Sequence, residues 1–290
     1  MSRLVIEKVD AAFGLIITNW KPEFIGETKI FSQIKEALSE DPLIIFRGQR
    51  QLTDSELIEF ASNFGDLFNG GELFGVNSTT PEILELSTEL DEGGSEKLVS
   101  SATPLPWHTD YCYLPRPSRE SFLNAVVIPS TECGTTWFAN TYLAYESLSK
   151  SLKQRVDGLS GLHKLEGSNR HQAAVETKTY EDRRTQKNSN FNYPGSRDPV
   201  EHPAAYKHPL HNRTALYINS LTCGFADMNN SESEALLSEL FLEAAAPERT
   251  YKHVWQENDL VLFDTIGTIH RREAQPFNEH RVMRQLSTLI

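Results

Sequence analysis

Apolar side chains in this chain come in short bursts separated by polar turns, and the bursts carry two different periods. Residues 31–39 have helical spacing and predict a helix. Leu43-Ile44-Ile45-Phe46 is a short apolar run that suits a buried strand. Thr53-Asp54-Ser55-Glu56 has the form of a capping box, opening a helix that Gly65 would close. Glu82-Ile83-Leu84-Glu85-Leu86 alternates as a strand does, and residues 121–128 and 134–139 predict two more strands. A helical pattern follows at 142–157 and ends near Gly158.

The pattern then lapses. Residues 166–213 are polar, rich in His, Arg and Asn, and contain Pro194, Pro199, Pro203 and Pro209. A stretch this long without periodicity predicts a polar lid or insert outside the core. Order resumes at Ala215-Leu216-Tyr217-Ile218-Asn219. Ser231-Glu232-Ser233-Glu234 then caps a helix with Leu236, Leu237, Leu240, Phe241 and Ala244 on one stripe. Strands are expected at 250–255, 260–264 and 281–289. Pairs of short strands with few long helices predict a mainly β, α+β fold: an antiparallel core decorated by helices, of the jelly-roll type. The reading is of one domain over 1–290, with the polar insert at about 166–213.

Composition narrows the partners. The 290 residues carry a net charge of −12, 39% hydrophobic and 10% aromatic residues, with a pI near 5.3. That balance argues against nucleic acid and against an anionic membrane surface. No apolar run approaches the ~20 residues of a membrane helix, and the N-terminus has no apolar signal-peptide core. Cys112, Cys133 and Cys223 form no paired motif, so a disulfide framework or structural zinc site is not expected. A reducing cytoplasm is the expected setting.

Candidate chemistry lies in Trp107-His108-Thr109-Asp110, His270 and Arg281. By chance alone roughly one His-x-acid triplet is expected in a chain of this composition, and a surface hydrogen-bonded pair is the bland reading. On a strand, however, residues two apart share a face, so His108 and Asp110 would present an imidazole and a carboxylate together. The turn and apolar strand over 258–264 feed the chain toward His270. Two histidines and one carboxylate with open positions favour non-haem Fe(II) and oxygen chemistry, although a zinc hydrolase uses the same donors and a lone His270 could be a satisfied core residue. In the last strand Arg281, Met283 and Gln285 alternate onto one face. If that face is interior, Arg281 needs an anionic partner, and a ligand carboxylate would serve; a surface ion pair is the alternative.

Taken together these segments resemble the taurine-dioxygenase-like (taurine/2,4-D dioxygenase) family of Fe(II)/2-oxoglutarate-dependent oxygenases. The resemblance runs over roughly 30–290. It is strongest at WHTD, at PSTECGTTWFANTYLAYESL (129–148) and at WQENDLVLFDTIGTIHRREAQPFNEHRVMRQLST (255–288). It implies a double-stranded β-helix, the cupin-like jelly roll. It also implies iron held by His108, Asp110 and His270, and the distal carboxylate of 2-oxoglutarate held by Thr135 and Arg281. Dioxygen and 2-oxoglutarate would be cosubstrates. A small organic substrate would be hydroxylated, or less often desaturated, with release of succinate and CO2. Asp110 speaks against the halogenating branch, in which the resemblance replaces the carboxylate by Gly or Ala.

The chain departs from the taurine enzyme where that enzyme binds its sulfonate. An Arg four residues after the oxoglutarate Arg is replaced by Gln285, and the taurine-contacting His and Tyr fall loosely at Gly71 and Phe74. The neighbouring Arg284 would point to the other side of its strand. The expected substrate is therefore larger and partly apolar, an amino-acid-derived or specialised metabolite, with Phe74, Tyr113 and Gln285 as candidate contacts. Cys112 is expected to pack as a small hydrophobe. A non-catalytic metal-binding jelly roll and a zinc hydrolase are the alternatives, and assembly into a homo-oligomer stays open.

Overall fold

The computed structural model describes residues 3–73, 79–89, 104–165, 198–276 and 278–290. The expected contact Phe74 and the stretch 166–197 lie outside the described residues. Near the N-terminus come β1 (Ile6–Lys8), β2 (Leu15–Ile17), α1 (Thr28–Glu40), β3 (Leu43–Phe46), α2 (Asp54–Ser62), α3 (Gly70–Leu73) and β4 (Leu84–Ser87). The middle of the chain gives β5 (Leu105–His108), β6 (Ser118–Val127), β7 (Thr136–Asn140), α4 (Thr141–Ser147), α5 (Lys150–Val156) and β8 (Ser160–His163). After the undescribed stretch follow β9 (Val200–Pro203), β10 (Ala205–Lys207), β11 (Thr214–Leu216), β12 (Thr222–Phe225) and α6 (Asn230–Ala244). The chain closes with β13 (Thr250–His253), β14 (Leu260–Asp264), β15 (Thr268–Arg272) and β16 (Val282–Leu289).

A seven-stranded sheet, β1-β2-β3-β14-β6-β16-β4, faces a four-stranded sheet, β13-β7-β15-β5. Alternation along β14 shows how the layers form. Leu260 and Leu262 pack under the helices with Ile34 of α1 and Phe60 of α2. Val261 and Phe263 point the opposite way, into a core shared with Phe138 of β7, Trp255 and Met283 of β16. The order of layers is thus helices, large sheet, shared core, small sheet, then α4–α6, whose Ala144, Val156, Leu236 and Leu240 pack against Ala139 and Ile269. This is the mainly β jelly-roll architecture that the strand pattern predicts.

Local details differ from the sequence reading. Thr53 and Glu56 do form the reciprocal capping box of α2, but the helix ends at Ser62 with Asn63 as its C-cap (φ −65°, ψ −17°), so Gly65 does not close it. The helical stretch at 142–157 is two helices, because Leu148 leaves helical geometry and the Ser149 side chain caps α5 by accepting from Leu152 N–H. Helix α6 starts from Asn229, whose side chain accepts from Glu232 N–H; the short carboxamide there outcompetes the expected Ser231.

The largest correction is to the polar insert at 166–213. Its described end, 198–213, carries β9 and β10, and Ala204 and His208 are buried. Proline had suggested irregular chain, but Pro203 ends β9, an edge strand of the sheet β12-β8-β9. An edge strand tolerates a missing N–H.

Candidate metal and cosubstrate site

His108 and His270 face each other across paired strands: they are register partners of β5 and β15, with ring centroids 4.1 Å apart. Asp110 completes the group. Its Oδ1 lies 3.6 Å from His108 Nε2 and 3.8 Å from His270 Nε2. The expected cause was strand alternation, but β5 stops at His108 and Asp110 sits in the following turn. There Tyr111 adopts φ 54°, a conformation uncommon outside glycine, and Ser118 Oγ donates to the Asp110 carbonyl at 2.7 Å.

The imidazoles are prepared as ligands. His108 Nδ1 lies 2.7 Å from the Pro106 carbonyl, which can only accept, so the ring proton is on Nδ1 and the Nε2 lone pair faces the triad. Phe138 stacks on His270 (5.9 Å, 24°) and Phe263 meets it edge-on at 5.0 Å. Burial above all holds His270 well below the usual histidine range and so keeps it neutral. Burial raises the Asp110 carboxyl, and the hydrogen bond from Gln285 opposes that rise. A dication among these donors would offset the cost of burying that carboxylate.

Arg281 precedes β16 and is 2% exposed. Its guanidinium lies 5.9 Å from the Trp255 ring. Burial, then the nearby charge of the buried Arg272, push it well below its ordinary range. A buried guanidinium of this kind is suited to grip an anion.

The threonine assignment needs correcting. Thr135 Oγ1 donates to Glu273 Oε2 at 2.5 Å, and the Trp137 indole donates to Oε1 of the same carboxylate at 2.8 Å. These side chains gather on the side of β7 away from Phe138 and His270. Neighbouring strand residues point to opposite faces, and it is Thr136 that shares the face of Phe138. Thr136 Oγ1 accepts from Trp255 Nε1 at 3.0 Å, so both Thr136 and Arg281 lie against Trp255. The resemblance points to Thr135; alternation relative to the buried Phe138 is the sequence signal that separates the two threonines.

Gln285 is buried, and its Nε2 donates to Asp110 Oδ2 at 2.8 Å. Arg284 points to the other face, where it reaches Asp54 Oδ1 (2.5 Å), the Leu52 carbonyl (2.7 Å) and Asn124 Oδ1. Tyr113 is buried in an aromatic cluster with Tyr111 and Tyr217. Cys112 is fully buried beside Asn219, and burial pushes its thiol pKa up.

A second group, His208, His211 and Asp264, also has its potential ligand atoms within 4.8 Å of one another. The rings stack at 3.9 Å and 3°. Here, however, His208 Nδ1 accepts from the backbone N–H groups of Leu210 (3.1 Å) and His211 (3.2 Å). Its proton is therefore on Nε2, 3.8 Å from Asp264 Oδ1. That oxygen already accepts from Ile266 and Gly267 N–H, and Oδ2 accepts from Tyr142 at 2.5 Å. The arrangement ties a turn to the end of β14.

The family described as "Taurine catabolism dioxygenase TauD, TfdA family" matches residues 7–287. A pentalenolactone F synthase of Streptomyces avermitilis is 32% identical over 275 residues, 92% of this chain and 87% of that protein. The (S)-phenoxypropionate/alpha-ketoglutarate-dioxygenase of Sphingobium herbicidovorans is 28% identical, over 96% and 92% of the two chains. The crystal structure of a taurine dioxygenase from Burkholderia xenovorans superposes with a TM-score of 0.78 at 26% identity, covering 99% of this chain and 89% of that one. Sheets, facing histidines and matched sequence agree: the chain belongs to the TauD/TfdA family of Fe(II)- and 2-oxoglutarate-dependent dioxygenases.

Proposed function

We propose that this dioxygenase hydroxylates a small, largely uncharged organic molecule of specialised metabolism, and that taurine and simple alkyl sulfonates are not its substrates. One observation carries the reading. Gln285 commits its amide to Asp110, and Arg284 turns away to Asp54 and Asn124. The position from which the taurine enzyme addresses a sulfonate therefore offers no cation, and a buried anion without one is costly. The likeness to a pentalenolactone F synthase supports the metabolic class.

In this reading the whole chain acts as one oxygenase domain. His108, His270 and Asp110 hold Fe(II) through two neutral imidazoles and one carboxylate, a donor set that leaves positions open. Bound iron supplies oxidising chemistry in which dioxygen and 2-oxoglutarate are consumed and succinate and CO2 leave. Arg281 grips the distal carboxylate of 2-oxoglutarate. Thr136, whose oxygen accepts from Trp255, is left with its own proton to donate to that carboxylate. Phe138 and Phe263 keep water from the His270 imidazole, which strengthens the charged contacts nearby. A zinc hydrolase would leave Arg281 without work.

Two measurements test this. Anaerobic addition of Fe(II) and 2-oxoglutarate should give a weak visible charge-transfer band. Succinate release should then be screened with taurine, aryloxy acids, amino-acid derivatives and neutral lactones, and is expected from the uncharged, partly apolar compounds. Efficient, tightly coupled turnover of taurine would overturn the substrate reading.

A further inference from the structure

We propose that Gln285 is a positioning residue for the metal centre: it holds Asp110 as a one-oxygen ligand and does not serve as a substrate contact. The inference rests on the metal reading above. The two carboxylate oxygens of Asp110 have separate surroundings. Oδ1 faces both imidazoles, at 3.6 and 3.8 Å, whereas Oδ2 accepts from Gln285 Nε2 at 2.8 Å. A hydrogen bond on Oδ2 competes with a second metal–oxygen bond, so the carboxylate occupies one coordination position and the rest stay open for the cosubstrates.

The elements explain why such a hold is needed. Asp110 lies beyond the end of β5, in a turn that includes the positive-φ Tyr111, and no strand hydrogen bonding fixes its side-chain direction. Gln285 sits inside β16, paired on one side with Leu123 of β6 and on the other with Leu84 of β4. A ligand on a turn is steered by a donor on a strand clamped from both edges. Two residues along the same strand, Ser287 Oγ lies 2.6 Å from Ser121 Oγ of β6, a further tie between the two strands beside Gln285.

The test uses Gln285→Met, which keeps length and volume but removes the donor, and Gln285→Asn, which keeps the amide but is one methylene too short. Mn(II) is titrated into the metal-free full chain and followed by electron paramagnetic resonance, with no turnover required. Removal of an outer partner of a ligand weakens metal binding about 10–100-fold, and both variants should show this. Their spectra at saturating Mn(II) should broaden as the carboxylate takes several orientations. The 2-oxoglutarate Kd at saturating Mn(II) should change little, since Arg281 is untouched. Thermal unfolding of the metal-free variants checks the fold, and the polar Asn variant guards against collapse of the Met one. Wild-type Mn(II) affinity and line shape in both variants, with a raised KM for the organic substrate, would overturn the proposal in favour of a substrate contact. Failure of the unaltered protein to bind Mn(II) would overturn the metal reading itself, and this inference with it.

Discussion

Two clusters among the described residues have the same composition, two histidines and one aspartate, with potential ligand atoms all within 4.8 Å of one another in each. They differ in where the protons sit. At His108 a carbonyl takes the Nδ1 proton and frees Nε2. At His208 two backbone N–H groups occupy Nδ1, so the proton moves to Nε2, the atom a metal would need. The aspartates differ likewise. Asp110 keeps Oδ1 facing the imidazoles, whereas Asp264 spends both oxygens on Tyr142 and the turn at Ile266-Gly267. Residue type and distance alone would call both clusters metal sites; the hydrogen bonds on the far side of each ring separate them.

The strongest way to break that comparison is to count metal ions. The unaltered chain should bind one Mn(II) or Fe(II). His270→Ala and Asp110→Ala should weaken binding by more than about a hundredfold and abolish succinate formation. His208→Asn should keep the full equivalent, because Asn Oδ1 can still accept from the turn amides. Two equivalents in the unaltered chain, or loss of one in His208→Asn, would erase the distinction.

A smaller effect sharpens the two faces of β7. Arg281→Ala should raise the 2-oxoglutarate KM about ten- to a hundredfold, the weight of a charge-assisted contact. Arg281→Lys should recover only part, lacking the planar fork. Thr136→Ala should cost about three- to tenfold, as a neutral hydrogen bond does, and Thr135→Ala less than about twofold. A larger loss from Thr135→Ala than from Thr136→Ala would reverse the face assignment.

The smallest effect is acid sensitivity. Burial lowers His208 and His211 to about 4, while an unfolded histidine takes its proton near pH 6.5. Between those values the unfolded chain binds more protons, so stability is full above about pH 6.5 and falls as pH drops toward 4. His208→Asn should make that decline shallower by roughly 1–2 kcal/mol between pH 7 and 5, read from urea midpoints at the two pH values. An unchanged slope would show that His208 is not held neutral.

Much of this was legible beforehand. Strands β3 and β14 are short, unbroken apolar runs, and that pattern survives in one dimension. The candidate metal ligands also stood out, since His108 and Asp110 are neighbours in sequence. What escaped depends on contacts across long separations. The choice between Thr135 and Thr136 turns on which side of β7 Glu273 occupies, 138 residues downstream of Thr135. Gln285 looked like a pocket residue because its partner lies 175 residues away. The stretch 198–213 looked irregular because its prolines fall at a strand end and a turn, places where composition mimics loop.

The two histidines lie on or beside strands of the four-stranded sheet, while Gln285 belongs to β16 of the facing sheet and Arg281 immediately precedes that strand. A metal and dicarboxylate gripped from both sides would rivet the sandwich. At a free concentration a hundred times its Kd, a ligand of this kind adds about 2.7 kcal/mol to the folded state. The melting temperature then becomes a gauge of how well the seam is closed. Trimming Phe138, which packs across that seam onto Phe263 at 5.2 Å, should shrink the rise in melting temperature on cosubstrate addition as well as lowering the baseline.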